Sequence, residues 1–141
     1  MIDTDLTEGS TTDHVEISFP AGLPGFPSAH RFQLVPWGPD GTPFLLMTSS
    51  DDPEVGFVLV PPWVYYPDYA FDLDDASAER LGLAAAGDAV VLCMVTLRDR
   101  PEDATLNLLG PIVVNRHTLE AAQIVLPASG YSVRAPLAHA S

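Results

Sequence analysis

The chain has 141 residues, 47% of them hydrophobic, and a formal net charge of −13 from 19 acidic and 6 basic residues. This hydrophobic content excludes an intrinsically disordered chain, which would combine low hydrophobicity with high net charge, and the length fits one domain. The acidic surface disfavours nucleic acid and anionic lipid as partners and favours a protein with basic surface.

The first twelve residues are polar and acidic, and they predict a flexible N-terminal lead-in at residues 1–12 before a single domain at residues 13–141. They lack the basic and apolar regions of a signal peptide. No window of the chain approaches the roughly 20 apolar residues that span a bilayer. We therefore expect a cytoplasmic protein that has no membrane partner.

Short apolar runs bounded by Pro, Gly or Asp follow the lead-in and predict strands. The predicted strands lie at residues 15–19, 31–35, 44–48, 55–61, 90–97, 106–109, 112–114, 124–126 and 131–135. The run at 55–61 is apolar on both faces, which indicates a central strand. One short helix is predicted within residues 72–83, with Gly87 closing it. This pattern predicts an all-β fold, a compact antiparallel β-barrel-like single domain with one short helix.

No residue pattern in the chain indicates catalysis or cofactor binding. The histidines His14, His30, His117 and His139 lack metal-ligand spacing, and the single cysteine, Cys93, lies in an apolar run and is expected to be buried. No nucleophile elbow and no glycine-rich phosphate loop occurs. We predict no catalytic, cofactor or metal site. Two other hypotheses stay open, a small molecule bound inside the barrel and an enzyme whose Asp, Ser and His residues meet only in the fold.

Two features suggest more than a scaffold. Amphipathic rings beside acidic residues suit a protein-binding surface, which we predict at Trp63, Tyr65, Tyr66, Asp68, Tyr69 and Asp72. The structural alternative is that these rings close one end of the barrel core. The second feature is a pair of asparagines, Asn107 and Asn115, whose side-chain amides are expected to bond backbone groups at strand ends or turns.

Six short motifs follow one another in a fixed order along the chain. They lie at residues 19–26, 43–49, 52–61, 67–69, 107–126 and 131–137. In this order they resemble the motifs of the FliW family of flagellar assembly factors. The structural signature of the resemblance is formed by Gly22, Pro24, Gly25, Phe26, Asn107, Pro111, Asn115 and Gln123. Three positions depart from the family pattern, with Thr48 where Gln is usual, Gly110 where Ala is common and Ala121 where Gly is frequent.

The resemblance implies a compact β-barrel-like fold with no enzymatic activity and no cofactor. It also implies that the chain binds cytoplasmic flagellin before export, as a chaperone, and binds and antagonises the translational repressor CsrA. In this scheme the two partners compete, so that flagellin synthesis is coupled to flagellar assembly. In a host without CsrA only the flagellin-binding part would apply. Direct binding of nucleic acid is not required.

Overall fold

The computed structural model describes residues 15–20, 22–23, 30–38, 43–50, 55–96, 103–126 and 129–136. Within these ranges the chain forms nine strands and one α-helix. The strands are β1 (Val15–Ser18), β2 (Arg31–Pro36), β3 (Leu45–Ser49), β4 (Gly56–Val60), β5 (Ala89–Thr96), β6 (Thr105–Leu106), β7 (Ile112–Asn115), β8 (Ala121–Gln123) and β9 (Ala135–Pro136). Helix α1 spans Asp75–Leu81, and short 3-10 turns lie at Pro62–Val64 and Ala86–Asp88. The predicted lead-in lies outside the described residues.

Antiparallel pairing in chain order joins β1 to β5, and strand β5 then has two partners on its other edge. Residues 89–92 of β5 pair with β7, and β7 pairs in turn with β8. Residues 95–96 of β5 pair with β6, and β6 pairs in turn with β9. Ser18 at the end of β1 forms a parallel bridge with Glu120, and its N–H donates to the Leu119 carbonyl at 3.0 Å. The sheet is therefore nearly closed, and the predicted all-β, barrel-like architecture is confirmed.

Strand β5 shows why the central strands are apolar along their whole length. Successive side chains of a strand point to opposite faces. Val90 and Leu92 point into the barrel, where they join the interior cluster. Val91, Cys93 and Val95 point to the outer face, where other segments of the chain cover them. Strand β4 lies between β3 and β5, as its two apolar faces predict.

The barrel interior is filled by aliphatic side chains and two phenylalanines. Phe19 and Phe32 are fully buried and meet edge to face, with ring centroids 5.3 Å apart. The interior cluster consists of Val15, Ile17, Phe19, Leu23, Phe32, Leu34, Leu45, Met47, Leu59, Val90, Leu92, Ile112, Val114 and Ala121. A small closed barrel is normally filled by side chains in this way. The hypothesis of a small molecule inside the barrel gains no support from this packing.

The segment between β4 and β5, residues 61–88, covers the outer face of the sheet and is called the outer cover below. Its rings pack over the outward side chains of β4, β5 and β6, and helix α1 lies over Val91 and Val113. Trp63 and Phe71 contact both groups. The aromatic residues therefore cover the outside of the barrel wall and do not close one end of the barrel interior.

Helix α1 is shorter than predicted, because capping residues define both ends. The Asp74 side chain accepts a hydrogen bond from the Ser77 N–H at 3.1 Å, which is a typical N-cap. Gly82 has a φ of 71°, and the N–H groups of Gly82 and Leu83 donate to carbonyls of the last turn. This is a Schellman ending, for which glycine is favoured in the left-handed conformation. The prediction that Gly87 ends the helix was wrong.

Three predicted strands in the C-terminal part are displaced. Of the predicted strand 106–109, only Leu106 is in β6. Strand β8 ends at Gln123, and residues 124–126 add only single hydrogen bonds to the carbonyls of Pro111 and Leu109. Of the predicted strand 131–135, only Ala135 is in β9. The Ser129 and Ser132 hydroxyls accept hydrogen bonds from backbone N–H groups two residues later, which favours turns over a strand ladder.

Candidate functional site

The predicted partner-binding residues lie together at the start of the outer cover. A 3-10 turn begins at Pro62, whose carbonyl accepts hydrogen bonds from the N–H groups of Tyr65 and Tyr66 at 3.1 and 2.8 Å. Proline suits the first position of such a turn, because its missing N–H would have no partner there. The turn is followed by a second one that ends at Tyr69. These turns place four rings on a short stretch of irregular backbone.

Tyr69 is the centre of this group and is only 3% exposed. Its ring centroid lies 4.6 Å from that of Tyr131, 5.7 Å from that of Phe71 and 6.1 Å from that of Trp63. Its hydroxyl donates to the Leu108 carbonyl at 2.7 Å, and its own carbonyl accepts from Trp63 Nε1 at 2.6 Å. Tyr69 therefore supports the surface from below and exposes little of its own ring.

Burial keeps the Tyr69 hydroxyl and the Cys93 thiol protonated at neutral pH. It raises the pKa of the Tyr69 hydroxyl well above its usual value, and the neighbouring Cys93 adds to this shift. Burial also raises the pKa of the Cys93 thiol to about 12. A thiol in this environment is not a nucleophile at neutral pH, because only the thiolate reacts readily.

Tyr66 and Tyr131 tie the outer cover to the C-terminal part of the sheet. The Tyr66 hydroxyl donates to the Pro136 carbonyl. The Tyr131 hydroxyl donates to the Ala70 carbonyl at 2.8 Å and accepts from the Ala70 N–H at 3.1 Å. Burial raises the pKa of Tyr66. The outer cover is thus held in place by hydrogen bonds from side chains to backbone, in the absence of strand pairing.

The six predicted residues line two neighbouring clefts, and Tyr69 lines both of them. The first, called the tyrosine cleft, has a volume of about 420 Å³ and is lined by Tyr65, Tyr66, Pro67, Asp68, Tyr69, Leu108 and Tyr131. The second, called the alanine cleft, has a volume of about 660 Å³. It is lined by Trp63, Tyr69, Ala70, Phe71, Asp72, Leu73, Ala78, Leu83, Ala84, Ala85, Ala89, Val91 and Val113. Trp63, Tyr65 and Tyr66 are half-buried, while Asp68 and Asp72 are exposed.

The signature residues that the structure describes have structural roles. Gly22 is buried in a tight turn with a φ of 79°, a conformation that favours glycine. Asn107 Oδ1 accepts from the Gly110 N–H, and Gln123 Nε2 donates to the Gly110 carbonyl, both at 2.9 Å. A Cβ atom at Gly110 would lie 2.9 Å from Gln123 Nε2, so an alanine there requires the glutamine to move. Pro111 is buried at the start of β7. Pro24, Gly25 and Phe26 lie outside the described residues.

Asn115 connects the barrel to helix α1. It is 2% exposed, and its Nδ2 donates to the Leu81 carbonyl at 2.7 Å. Its Oδ1 accepts from the N–H groups of His117 and Thr118 at 2.8 and 3.2 Å. Both asparagines thus bond backbone groups at strand ends and turns, which is the role that the sequence predicts.

Sequence reasoning missed the alanine cleft and the contact that holds one of its walls. Asp88 Oδ2 accepts from the N–H groups of Ala84 and Ala85 at 3.1 and 3.0 Å, and Asp88 Oδ1 lies 3.0 Å from His117 Nε2. The His117 contact, followed by the two backbone hydrogen bonds, lowers the pKa of Asp88. Asp88 and His117 are far apart in sequence, so no local pattern links them.

The His117–Asp88 pair lies at the surface, and neither residue lines the two clefts. A cleft that holds His117 beside a carboxylate and a hydroxyl would have favoured the enzyme hypothesis, and this pair does not form one. Among the described residues no group of three or more His, Cys, Asp or Glu side chains is placed to hold a metal ion. No helix within those residues is long and apolar enough to cross a membrane.

Comparison with known proteins agrees with this architecture. The family model described as FliW protein matches residues 2–137. The chain is 36% identical to the flagellar assembly factor FliW of Bacillus licheniformis over 135 residues, which cover 96% of this chain and 90% of that protein. It is 36% identical to the protein of the same name from Bacillus subtilis over 121 residues, which cover 86% and 84% of the two chains.

A solved structure of a protein of the same name has the same fold as this chain. The crystal structure of a flagellar assembly factor FliW superimposes with a TM-score of 0.81 at 34% sequence identity. The superposition covers 92% of this chain and 89% of the other chain. Nearly the whole sequence therefore matches this one family in both sequence and fold, and the chain belongs to the FliW family.

Proposed function

We propose that this chain is a flagellar assembly factor that binds cytoplasmic flagellin and antagonises the translational repressor CsrA. It couples flagellin synthesis to flagellar assembly and acts in the cytoplasm, without enzymatic activity, a cofactor, or direct contact with nucleic acid or membrane. The observation that carries this proposal is the match of nearly the whole chain to proteins named flagellar assembly factor FliW.

The outer cover supports a role in protein binding. Tyr65 and Tyr66 are half-buried beside the exposed Asp68, so each ring is held by packing and still offers part of its surface. Aromatic residues that are fixed in this way contribute strongly to protein interfaces, because they bury a large area and lose little side-chain entropy. We assign the partner surface to Trp63, Tyr65, Tyr66, Asp68 and Asp72, with the buried Tyr69 beneath it.

The net charge of −13 fits CsrA as one partner. CsrA binds RNA, and a protein that binds nucleic-acid phosphates carries Lys and Arg at its surface. Opposite charges on two partners raise the association rate more than they raise the affinity. We therefore expect added salt to slow the association of this chain with CsrA.

The proposal is tested by measuring binding of the purified chain to flagellin and to CsrA from the same host, by isothermal titration calorimetry. Tyr66→Ala is expected to weaken binding by about tenfold or more, since truncation of an interface hot spot costs about 2 kcal/mol. Tyr66→Phe is the matched control, because it keeps the ring and loses only the hydrogen bond to Pro136. It should bind within about threefold of the unmodified chain.

Two results would contradict different parts of the proposal. A well-folded unmodified chain that binds neither flagellin nor CsrA removes the function itself. Normal binding by Tyr66→Ala removes only the assignment of the surface. Thermal unfolding of each variant is measured alongside, since a large drop in Tm for Tyr66→Ala would show that this ring belongs to the core.

A further inference from the structure

The alanine cleft is a preformed apolar groove on the outside of the barrel. Its floor is formed by the buried Val91 of β5 and Val113 of β7. Its lining also includes Phe71 and Leu73, which are half-buried, and Ala84 and Ala85, which are exposed. The volume of about 660 Å³ lies within the range of pockets that bind ligands. The floor strands pair with each other over residues 89–92 of β5.

Two parts of the cleft lining are fixed by hydrogen bonds before any ligand binds. Ala70 exchanges two hydrogen bonds with the Tyr131 hydroxyl. The N–H groups of Ala84 and Ala85 donate to Asp88, whose second carboxylate oxygen contacts His117. A site whose walls are held in advance loses less conformational entropy on binding.

The polar groups of the cleft do not suit a specific small molecule, which needs several convergent polar groups to orient it. Trp63 Nε1 already donates to the Tyr69 carbonyl, and the Tyr69 hydroxyl already donates to the Leu108 carbonyl. Asp72 is the one carboxylate among the lining residues, and it has no hydrogen-bond or ion-pair partner within the described part of the chain. The cleft thus offers apolar surface and a single negative charge.

The charge around the cleft selects the kind of partner. The outer cover contains six acidic residues and one basic residue, Arg80. Asp72 and Glu79 are exposed, and no Lys occurs anywhere in the chain. A field of this sign attracts cationic segments and repels acidic ones. The occupant is therefore apolar on the face that enters the cleft and positively charged beside that face.

The backbone geometry favours a helix as the occupant. Addition of a strand requires a sheet edge with unpaired N–H and C=O groups, whereas the floor strands β5 and β7 are paired with each other. The walls are rich in alanine, including Ala70, Ala78 and Ala84. Small side chains let a helix approach closely, because the distance between packed elements depends on the side chains at the contact.

We propose that the alanine cleft is the docking groove for an amphipathic helix that carries an apolar face flanked by Lys or Arg. The helix belongs to a protein partner of this chain, so this assignment rests on the proposed function. Asp72 pairs with a Lys or Arg at the edge of the helix, while the apolar face packs against the half-buried Phe71 and Leu73 and the exposed alanines of the cleft.

The first test uses a fluorescently labelled amphipathic peptide of about 18 residues, long enough to be helical, with a leucine face flanked by lysines. Binding to the full chain is measured by fluorescence anisotropy. Ala84→Trp fills the groove and is expected to weaken binding at least tenfold. Ala76→Trp is the matched control, because Ala76 is also exposed but does not line the cleft, and it should change the affinity less than twofold.

A second pair of variants tests the role of the Asp72 charge in peptide binding. This pair also tests the groove if Ala84→Trp disturbs folding. Asp72→Asn should weaken binding of the lysine peptide two- to fivefold and reduce its salt dependence. Glu79→Gln removes a charge from an exposed position on α1 outside the cleft lining and should change the affinity less than twofold. The same peptide with glutamate in place of lysine should bind the unmodified chain at least tenfold more weakly.

Several outcomes would overturn the docking groove and leave the proposed function intact. The docking groove is overturned if Ala84→Trp and Ala76→Trp bind the peptide with equal affinity. It is also overturned if the unmodified chain binds the lysine and glutamate peptides equally. If the unmodified chain binds flagellin or CsrA, equal affinity of the two tryptophan variants for that partner would also remove the groove. Dimerisation of the unmodified chain that only Ala84→Trp abolishes, measured by sedimentation, would assign the cleft to a second copy and overturn the helix.

Discussion

The barrel interior and the outer cover are both apolar, but different interactions hold them. In the interior, paired strands satisfy the backbone groups, and alternate side chains pack against one another in one buried cluster. In the outer cover, irregular backbone is held by side chains: Trp63 Nε1 donates to one carbonyl, the Tyr131 hydroxyl donates to and accepts from Ala70, and Asp88 accepts from two N–H groups. A few side chains that each hold one or two backbone groups leave gaps between them. The tyrosine cleft and the alanine cleft therefore lie in the cover, and the packed interior supports them.

The largest difference is expected between two phenylalanines, one from each region. Phe32 is fully buried in the interior, so Phe32→Ala should lower the free energy of unfolding by about 3–5 kcal/mol through lost burial and a residual cavity. Phe71→Ala is the matched variant in the cover, where the ring is half-buried and already faces the alanine cleft. Phe71→Ala should lower the free energy of unfolding by less than Phe32→Ala does. Urea unfolding measures both values, and equal losses would contradict the comparison.

Asn115 tests the contact between the two regions. Asn115→Ala removes four side-chain hydrogen bonds that join β7, the following turn and the end of α1. We expect a loss of about 1–3 kcal/mol, because buried backbone groups are left without partners. Asn107→Ala is the control, since Asn107 is half-buried and its Oδ1 accepts only from Gly110 among the described residues. A larger loss for Asn107→Ala in urea unfolding would contradict this ranking.

The smallest effect is expected from pH at the N-cap of α1. The hydrogen bonds from Ser77 lower the pKa of Asp74 below its usual value of 3.8. A carboxylate with a lowered folded-state pKa stabilises the fold above its unfolded pKa, and this contribution is lost as the pH falls through the folded-state pKa. Asparagine caps a helix at any pH.

We therefore expect that Asp74→Asn loses less stability than the unmodified chain between pH 6 and pH 3, as followed by thermal unfolding. Asp68→Asn removes an equal charge from an exposed position outside α1 and serves as the control. If Asp68→Asn reduces the acid sensitivity as much as Asp74→Asn does, the effect comes from net charge and the N-cap assignment fails.

The sequence predicted the strands well where side-chain alternation and turn residues agree. Strands β1 to β5 lie within about one residue of their predicted bounds, because Pro, Gly and Asp separate the alternating runs of the first strands and the continuous apolar runs of β4 and β5. The helix end was missed because Gly82 and Gly87 are both plausible ends. Only the left-handed conformation of Gly82, with its two backbone hydrogen bonds, decides between them.

The candidate site was predictable only in part. The ring-and-acid composition of residues 63–72 pointed to the outer cover, but it gave no sign that Tyr69 is buried and Tyr66 is not. The alanine cleft depends on contacts between distant positions, such as Ala70 with Tyr131 and Asp88 with His117. Alanines have no pattern that distinguishes a groove from an ordinary surface, so local sequence reasoning does not find it.

The bridge between Ser18 and Glu120 has a consequence for how this barrel opens. Among the pairings that the structure describes it is an isolated bridge, whereas strands β1 to β9 pair through ladders of two or more residue pairs. The Leu119 carbonyl, which accepts the hydrogen bond from the Ser18 N–H, belongs to the turn between β7 and β8, and the Leu119 N–H donates to the Asn115 carbonyl at 2.7 Å within that turn. Opening the bridge therefore leaves this turn and the strand ladders in place. We expect such local opening to let water reach Ile17 and Phe19 while the strands stay paired.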